Sequence, residues 1–189
     1  MTPGRFNPAR TAWHITVGTY CSRLHGGDEP TVDRTHNRRG EPFVGKLEAR
    51  ESIARHAARG PEVRLTQLQR ESIEQLLPAI CERGGWTHHI AAAPPPPDDD
   101  HFHILLDAQP HLHGRQIRKW LKRWLTEALE AQFDRPPGGC WWVEGGSTKP
   151  VKDELYFGNV FNYIKRQRTT PTSEPDCPQS EADNSDPPE

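Results

Sequence analysis

The run His101-Phe102-His103-Ile104-Leu105-Leu106 reads as a buried strand, and the rest of the architecture follows from pairing and covering it. Side chains at i and i+2 of a strand point to the same face. Both imidazoles therefore face one way, while Phe102 faces the other and can enter a core. That geometry can present two neutral nitrogen ligands to one metal ion. Taken alone, His-x-His is short enough to arise by chance, and it equally describes two histidines near a sheet edge.

Immediately before this run, Pro94-Pro95-Pro96-Pro97-Asp98-Asp99-Asp100 reads as a turn, with its three carboxylates solvating the connection or binding a second cation. Trp86 to Ala92 is then an antiparallel partner strand, ahead of a strand over His101 to Asp107. The β-branched and aromatic stretch Ala12 to Tyr20 reads as the first strand. Arg64 to Arg83 carries Leu65, Leu68, Ile73, Leu76, Leu77 and Ile80 at roughly helical spacing, and Gly84-Gly85 supplies a stop. Pro78 is expected to kink that helix. A shorter helix is expected over residues 46–59. Gly114 to Gln132 is the clearest amphipathic helix, with Ile117, Trp120, Leu121, Trp124, Ala128 and Leu129 on one side. Trp141-Trp142-Val143-Glu144 is the expected fourth strand, one indole of the pair being left available for stacking. A last helix is expected from Asp153 to Gln167, with Leu155, Val160, Phe161 and Ile164 available for packing. The order β-α-β-β-α-β-α predicts an α+β fold, a ferredoxin-like antiparallel sheet with helices packed on one face. No internal repeat is visible.

A chain of 189 residues is long enough for one domain with a real core, although 33% apolar content and 19 prolines leave much of it to loops. The net charge of −2 hides an asymmetry. Residues 1–168 carry all 24 basic residues and 20 of the 26 acidic ones, a net of +4. Residues 169–189 carry the other six acidic residues and no Lys or Arg. This divides the chain into a mildly basic domain over 1–168 and an acidic Pro/Ser-rich tail, 169–189, that reads as disordered. A basic body is compatible with a polyanionic partner. The polar segment 21–46 is too long for an ordinary connection. No run reaches the length of a membrane-spanning helix, and no segment has the pattern of a secretion signal. Cys21, Cys81, Cys140 and Cys177 are scattered without metal-knuckle or disulfide spacing, which points to a reducing cytoplasm.

Only Tyr20, Tyr156 and Tyr163 are available as phenols. Tyr163 and Gln167, four apart on the last helix, share a face. The phenol can act as a nucleophile and the Gln167 amide oxygen as a third metal ligand. An oxygen ligand beside two imidazoles suits Mg²⁺ or Mn²⁺ better than a closed zinc site. Tyr156, two turns earlier, is the reserve nucleophile, and Tyr20 reads as structural. Arg115, Arg118, Lys119, Lys122 and Arg123 make a basic helical face that could follow a phosphate backbone, joined by Arg38, Arg39, Lys149, Lys152, Lys165 and Arg166. Trp120 and Trp124 read as core. His88-His89 reads as structural or as a second layer behind the metal ligands, and His111-Leu112-His113 as a poorer copy of the His-x-His pair.

These pieces, in this order from about Trp13 to Gln167, resemble the HUH-type single-tyrosine transposases, a family that includes insertion-sequence and REP-associated tyrosine transposases. The resemblance is carried by Trp13-His14-Ile15-Thr16, by Gly27-Asp28 through His36-Asn37-Arg38-Arg39-Gly40, and by Arg64-Leu65-Thr66. Gly85-Trp86, His101-Phe102-His103, Trp141-Trp142, Gly146-Ser147-Thr148-Lys149 and Tyr163 with Gln167 complete it. It implies an HUH-endonuclease fold in which His101, His103 and Gln167 hold one divalent cation. It further implies that Tyr163 cleaves single-stranded or hairpin DNA through a covalent 5′-phosphotyrosine, with no nucleotide cofactor and no membrane. Such a protein would act in the cytoplasm at the nucleoid, as a monomer or as a homodimer. Asp100 stands where the family often has Asn. Two other readings remain open: a catalytically silent hairpin-DNA-binding module of the same fold, and a metal-dependent phosphoesterase that uses water.

Overall fold

In the computed structural model, residues 5–22 and 47–168 are described. Arg38 and Arg39, most of the 21–46 segment and the 169–189 tail lie outside them. The elements run β1 (Thr11–Gly18), α1 (Glu48–His56), α2 (Gln67–Arg83), β2 (Thr87–Ala92), β3 (His101–Ala108), α3 (Gly114–Glu130), β4 (Ser147–Val151) and α4 (Glu154–Arg166). The four strands form one sheet in the order β2-β3-β1-β4, with every pairing antiparallel. This is the expected α+β, ferredoxin-like arrangement. Among the described residues no helix is long and apolar enough to cross a membrane.

β3 explains the layering. All eight of its residues are buried, with no alternation between inward and outward positions. A strand reads that way when both faces of the sheet are covered. Phe102, Ile104, Leu106 and Ala108 join Ile15, Val17, Ile73, Leu77, Ile117, Leu121 and Leu125 in the larger core, under α2 and α3. Leu105 points the other way and joins Ala12, Ile90, Ala92 and Val151 beneath Phe157, Val160, Phe161 and Ile164 of α4. The expectation that helices pack on one face is thus corrected: α4 lies on the opposite face from α2 and α3.

The fourth strand also differs from expectation. Trp141 and Trp142 are not in the ladder beyond a single bridge from Trp142 to Thr19, and β4 begins after Gly146. Both indoles are buried in the larger core, so neither is left for stacking. Trp142 Nε1 donates to Thr126 Oγ1 at 3.0 Å. The strand that does form, Ser-Thr-Lys-Pro-Val, is short and polar because it is an edge strand, where Pro150 costs no ladder bond. Pro78 stands within α2 without ending it. α2 starts in a capping box, the Thr66 hydroxyl accepting from Gln69 N while the Gln69 side chain accepts from Thr66 N. Trp86, Trp124 and Trp120 stack in a row with centroids 5.6 and 5.2 Å apart, Trp124 half-buried and Trp120 exposed.

Candidate active site

The α4 face of the sheet is apolar in its middle and polar at its ends. β3 brings His101 and His103 to one polar end, with Asp107 at the other. Cross-strand register sets Thr16 opposite His103 and Gly18 opposite His101. Residues paired across strands share a face, so Thr16 and His14 join the two imidazoles.

Hydrogen bonds orient both rings. Asp100 Oδ1 lies 2.6 Å from His101 Nδ1, and both side chains are buried. A carboxylate only accepts, so Nδ1 carries the proton and the Nε2 lone pair is left facing the site. His103 Nδ1 lies 2.9 Å from Thr16 Oγ1 and 3.3 Å from His14 Nε2. A hydroxyl can donate or accept, so Thr16 supports either tautomer of His103. The two Nε2 atoms face each other across 2.9 Å. Burial, reinforced by Lys149, pushes His14 down to about 4, so this third imidazole stays neutral near pH 7.

α4 brings the other half of the site. Its N-terminus is capped by Asp153, whose carboxylate accepts from Tyr156 N at 2.7 Å. Phe157, Val160, Phe161 and Ile164 then fix the helix on the sheet, each burial favouring the docked state by roughly 1.5–3 kcal/mol. Tyr163 therefore comes to rest over the histidines, its ring centroid 5.3 Å from that of His103 and 6.2 Å from that of His14. Gln167 follows as the C-cap residue and donates from Nε2 to Tyr163 Oη at 3.3 Å. Its Oε1 is buried with no hydrogen-bond partner. Such an atom ordinarily costs on the order of 1–3 kcal/mol, and a cation would relieve it. Arg168, the next residue, donates from Nε to the buried Glu74 carboxylate at 3.3 Å, and Glu74 also accepts from Ala93 N at 3.0 Å. The end of α4 is thereby tied across the β2 edge to α2.

His101, His103, Tyr163 and Gln167 line one cavity of about 460 Å³, with Thr16 and Ser22 among its walls. No group of three or more His, Cys, Asp or Glu among the described residues could hold a metal ion. The donor set here is instead two imidazole nitrogens and the orphaned amide oxygen of Gln167. Its composition fits Mg²⁺ or Mn²⁺ with positions left for water or substrate oxygens.

Other candidates fall elsewhere. Tyr156 packs against the smaller core, and Tyr20 accepts from Arg59 N at 2.8 Å. His89 pairs with Asp107 at 3.1 Å and packs edge-on against Phe157. His113 precedes α3, where its N–H is held by the Gln116 side chain. Of the basic face, Arg115, Lys119 and Arg123 are exposed, Arg123 pairing with Glu127 at 3.1 Å. Arg118 and Lys122 turn to the backbone of the 143–146 loop. Lys149 lies on β4 opposite His14, Lys152 and Arg166 are exposed, and Lys165 is half-buried. Neither His14 nor Thr16 has a role legible in the sequence, and Asp100 reads there as a turn carboxylate or a ligand of a second cation. A carboxylate directly preceding His-x-His was the available signal for Asp100. Thr16 could be found only from the register.

No protein-family model and no curated protein sequence matches the chain. It is similar to the crystal structure of a "putative transposase" from Deinococcus radiodurans R1, at 17% identity and a TM-score of 0.41, over 89% of this chain and 98% of that one.

Proposed function

We propose that this protein is a metal-dependent single-stranded DNA endonuclease and strand transferase of the HUH single-tyrosine transposase type, with Tyr163 as its nucleophile. The observation that carries the proposal is the convergence of Tyr163 and Gln167 from α4 with His101 and His103 from β3 in one cavity. His101 Nε2, His103 Nε2 and Gln167 Oε1 would hold Mg²⁺ or Mn²⁺, which supplies positive charge beside the phosphodiester oxygens.

Tyr163 Oη attacks the phosphorus, its proton passing to solvent, and the bond between phosphorus and O3′ breaks. The departing oxygen takes up a proton to become a free 3′-OH, and the 5′-phosphate stays on the tyrosine. The Gln167 Nε2–H donated to Oη orients the phenol toward the cavity. Asp100 and Thr16 hold the imidazoles in orientation. Since one phosphodiester is exchanged for another, a second 3′-OH can reverse the step without a nucleotide cofactor. The substrate is single-stranded or hairpin-bearing DNA, approached along the exposed cations at Arg115, Lys119, Lys149, Lys152 and Arg166.

A denaturing gel of protein mixed with labelled hairpin-bearing single-stranded DNA and Mn²⁺ tests this. A shifted band that needs metal, is lost in Tyr163→Phe and persists in Tyr156→Phe is the expected result. Cleavage without an adduct would replace tyrosine with water as the nucleophile. Native binding with neither cleavage nor adduct would make the protein a silent hairpin-binding module.

A further inference from the structure

The last turn of α4 is held at two points. Ile164, fully buried in the smaller core, fixes it from inside the fold. Gln167 follows as the C-cap residue, and Arg168 is the first residue past it. A helix end carries carbonyls without intrahelical partners and frays unless its last residues are tied down. Gln167 bears the orphaned Oε1 of the cavity and donates from Nε2 to Tyr163 Oη. Where that amide sits therefore depends on what holds Arg168.

Arg168 is held by Glu74, 94 residues earlier on α2. The Glu74 side chain is 1% exposed and that of Arg168 17%. Glu74 Oε2 accepts from Arg168 Nε at 3.3 Å, and Oε1 accepts from Ala93 N, just past β2, at 3.0 Å. α2 and α4 lie on opposite faces of the sheet, and the contact is possible because β2 is an edge strand that Glu74 can reach around. A carboxylate this deeply buried is costly unless it is paired and hydrogen-bonded. Ile73 and Leu77 already secure α2 in the larger core. Replacing a buried ion pair by apolar side chains is often neutral or stabilising, so the packing of α2 gives no reason for a charge here.

We propose that Glu74 is a positioning residue for the cavity on the far side of the sheet. By holding Arg168 it stops the end of α4 from fraying and keeps the Gln167 amide in the cavity with His101 and His103. This rests on the metal-site reading of that cavity. Glu74 touches neither metal nor DNA; it acts through Arg168 and the backbone of residue 167.

The test compares the full wild-type chain with Glu74→Gln and Arg168→Gln. Glu74→Gln keeps an acceptor oxygen for Ala93 N and removes the charge that holds Arg168. Should Arg168→Gln fail to fold, its buried carboxylate being left uncompensated, Glu74→Gln decides alone. The first readout is amide hydrogen exchange of the metal-free protein. The Gln167 and Arg168 amides are expected to exchange about tenfold faster in the variants, as for loss of one hydrogen bond to a charged group, with Val160 and Phe161 unchanged. Uniform acceleration along α4, or none, would overturn the tie. The second readout is Mn²⁺ affinity by electron paramagnetic resonance. Glu74→Gln is expected to weaken it about tenfold, the low end for loss of a supporting partner. In a Gln167→Ala background the same substitution should weaken it no further, because both changes act on one amide. A full further loss there, or an unchanged affinity in Glu74→Gln alone, would overturn the positioning role. A wild-type chain that binds no Mn²⁺ yet shows the local exchange change would sink the metal reading and keep Glu74 as the anchor of Gln167.

Discussion

At the scale of single residues, the site is made by second partners as much as by the groups that face the cavity. Asp100 fixes the tautomer of His101, and loss of such a partner typically weakens a metal site about 10–100-fold. Asp100→Ala should therefore lower Mn²⁺ affinity by at least about tenfold in calorimetric titration, while Asp100→Asn, which keeps an acceptor oxygen, should lose less. An unchanged affinity in both would return Asp100 to a plain turn residue. His88 carries a different consequence. Burial, then the charges of His89 and Arg168, push it down to about 4, so the fold accommodates its neutral form. Its contribution is complete above the unfolded value near 6.5 and is lost as pH falls from there toward 4. The loss amounts to about 2 kcal/mol by pH 4.5. Urea unfolding at pH 7.5 and 4.5 should show that His88→Gln removes most of this increment from the acid sensitivity of the wild type.

At the scale of elements, the loops and helix ends decide where chemistry can sit. α3 is pressed onto β1 and β4 through Gly114, where a Cβ would meet the Trp13 ring at 2.6 Å and Thr148 Cβ at 2.9 Å. Gly114→Ala should cost about 1–3 kcal/mol, as overpacking does, read as a lowered denaturation midpoint with an unchanged slope. β3 was legible as a strand because His101-Phe102-His103 alternates and the apolar run Ile104-Leu105-Leu106 that follows is continuous. That same continuity already signalled cover on both faces, although the sequence reading placed all helices on one. β4 was misplaced because two adjacent tryptophans look more strand-like than Ser-Thr-Lys-Pro-Val. Propensity cannot tell a buried loop anchor from an edge strand. α4 was legible in extent and in Val160, Phe161 and Ile164, which repeat at helical spacing and are buried, but Leu155, expected to pack with them, is exposed and Phe157 takes that place.

At the scale of the whole molecule, the sheet separates support from chemistry. The larger core under α2 and α3 is scaffold, and the smaller core under α4 carries the site. Leu121→Ala, on the scaffold side, should cost about 2–5 kcal/mol while leaving Mn²⁺ affinity of the folded protein nearly intact. Phe157→Ala, on the buried face of α4, should cost about 3–5 kcal/mol and weaken the proposed metal site as well, because Gln167 caps that helix. Denaturation curves paired with metal titrations would separate the two, and equal metal affinities in both variants would contradict the division. Local pattern alone determined the strands β1 to β3, the long helices, and the presence of a His-x-His pair and a Tyr163–Gln167 pair. Each of those depends on neighbours within a few residues, where strand and helix periodicity act. What the tertiary structure decided is long-range: α4 on the opposite face, Thr16 under His103, Glu74 holding Arg168, and the 143–146 carbonyls turned onto Lys122 and Arg118. Those contacts join segments tens of residues apart, and they are fixed by burial and register, for which a linear pattern carries no signal.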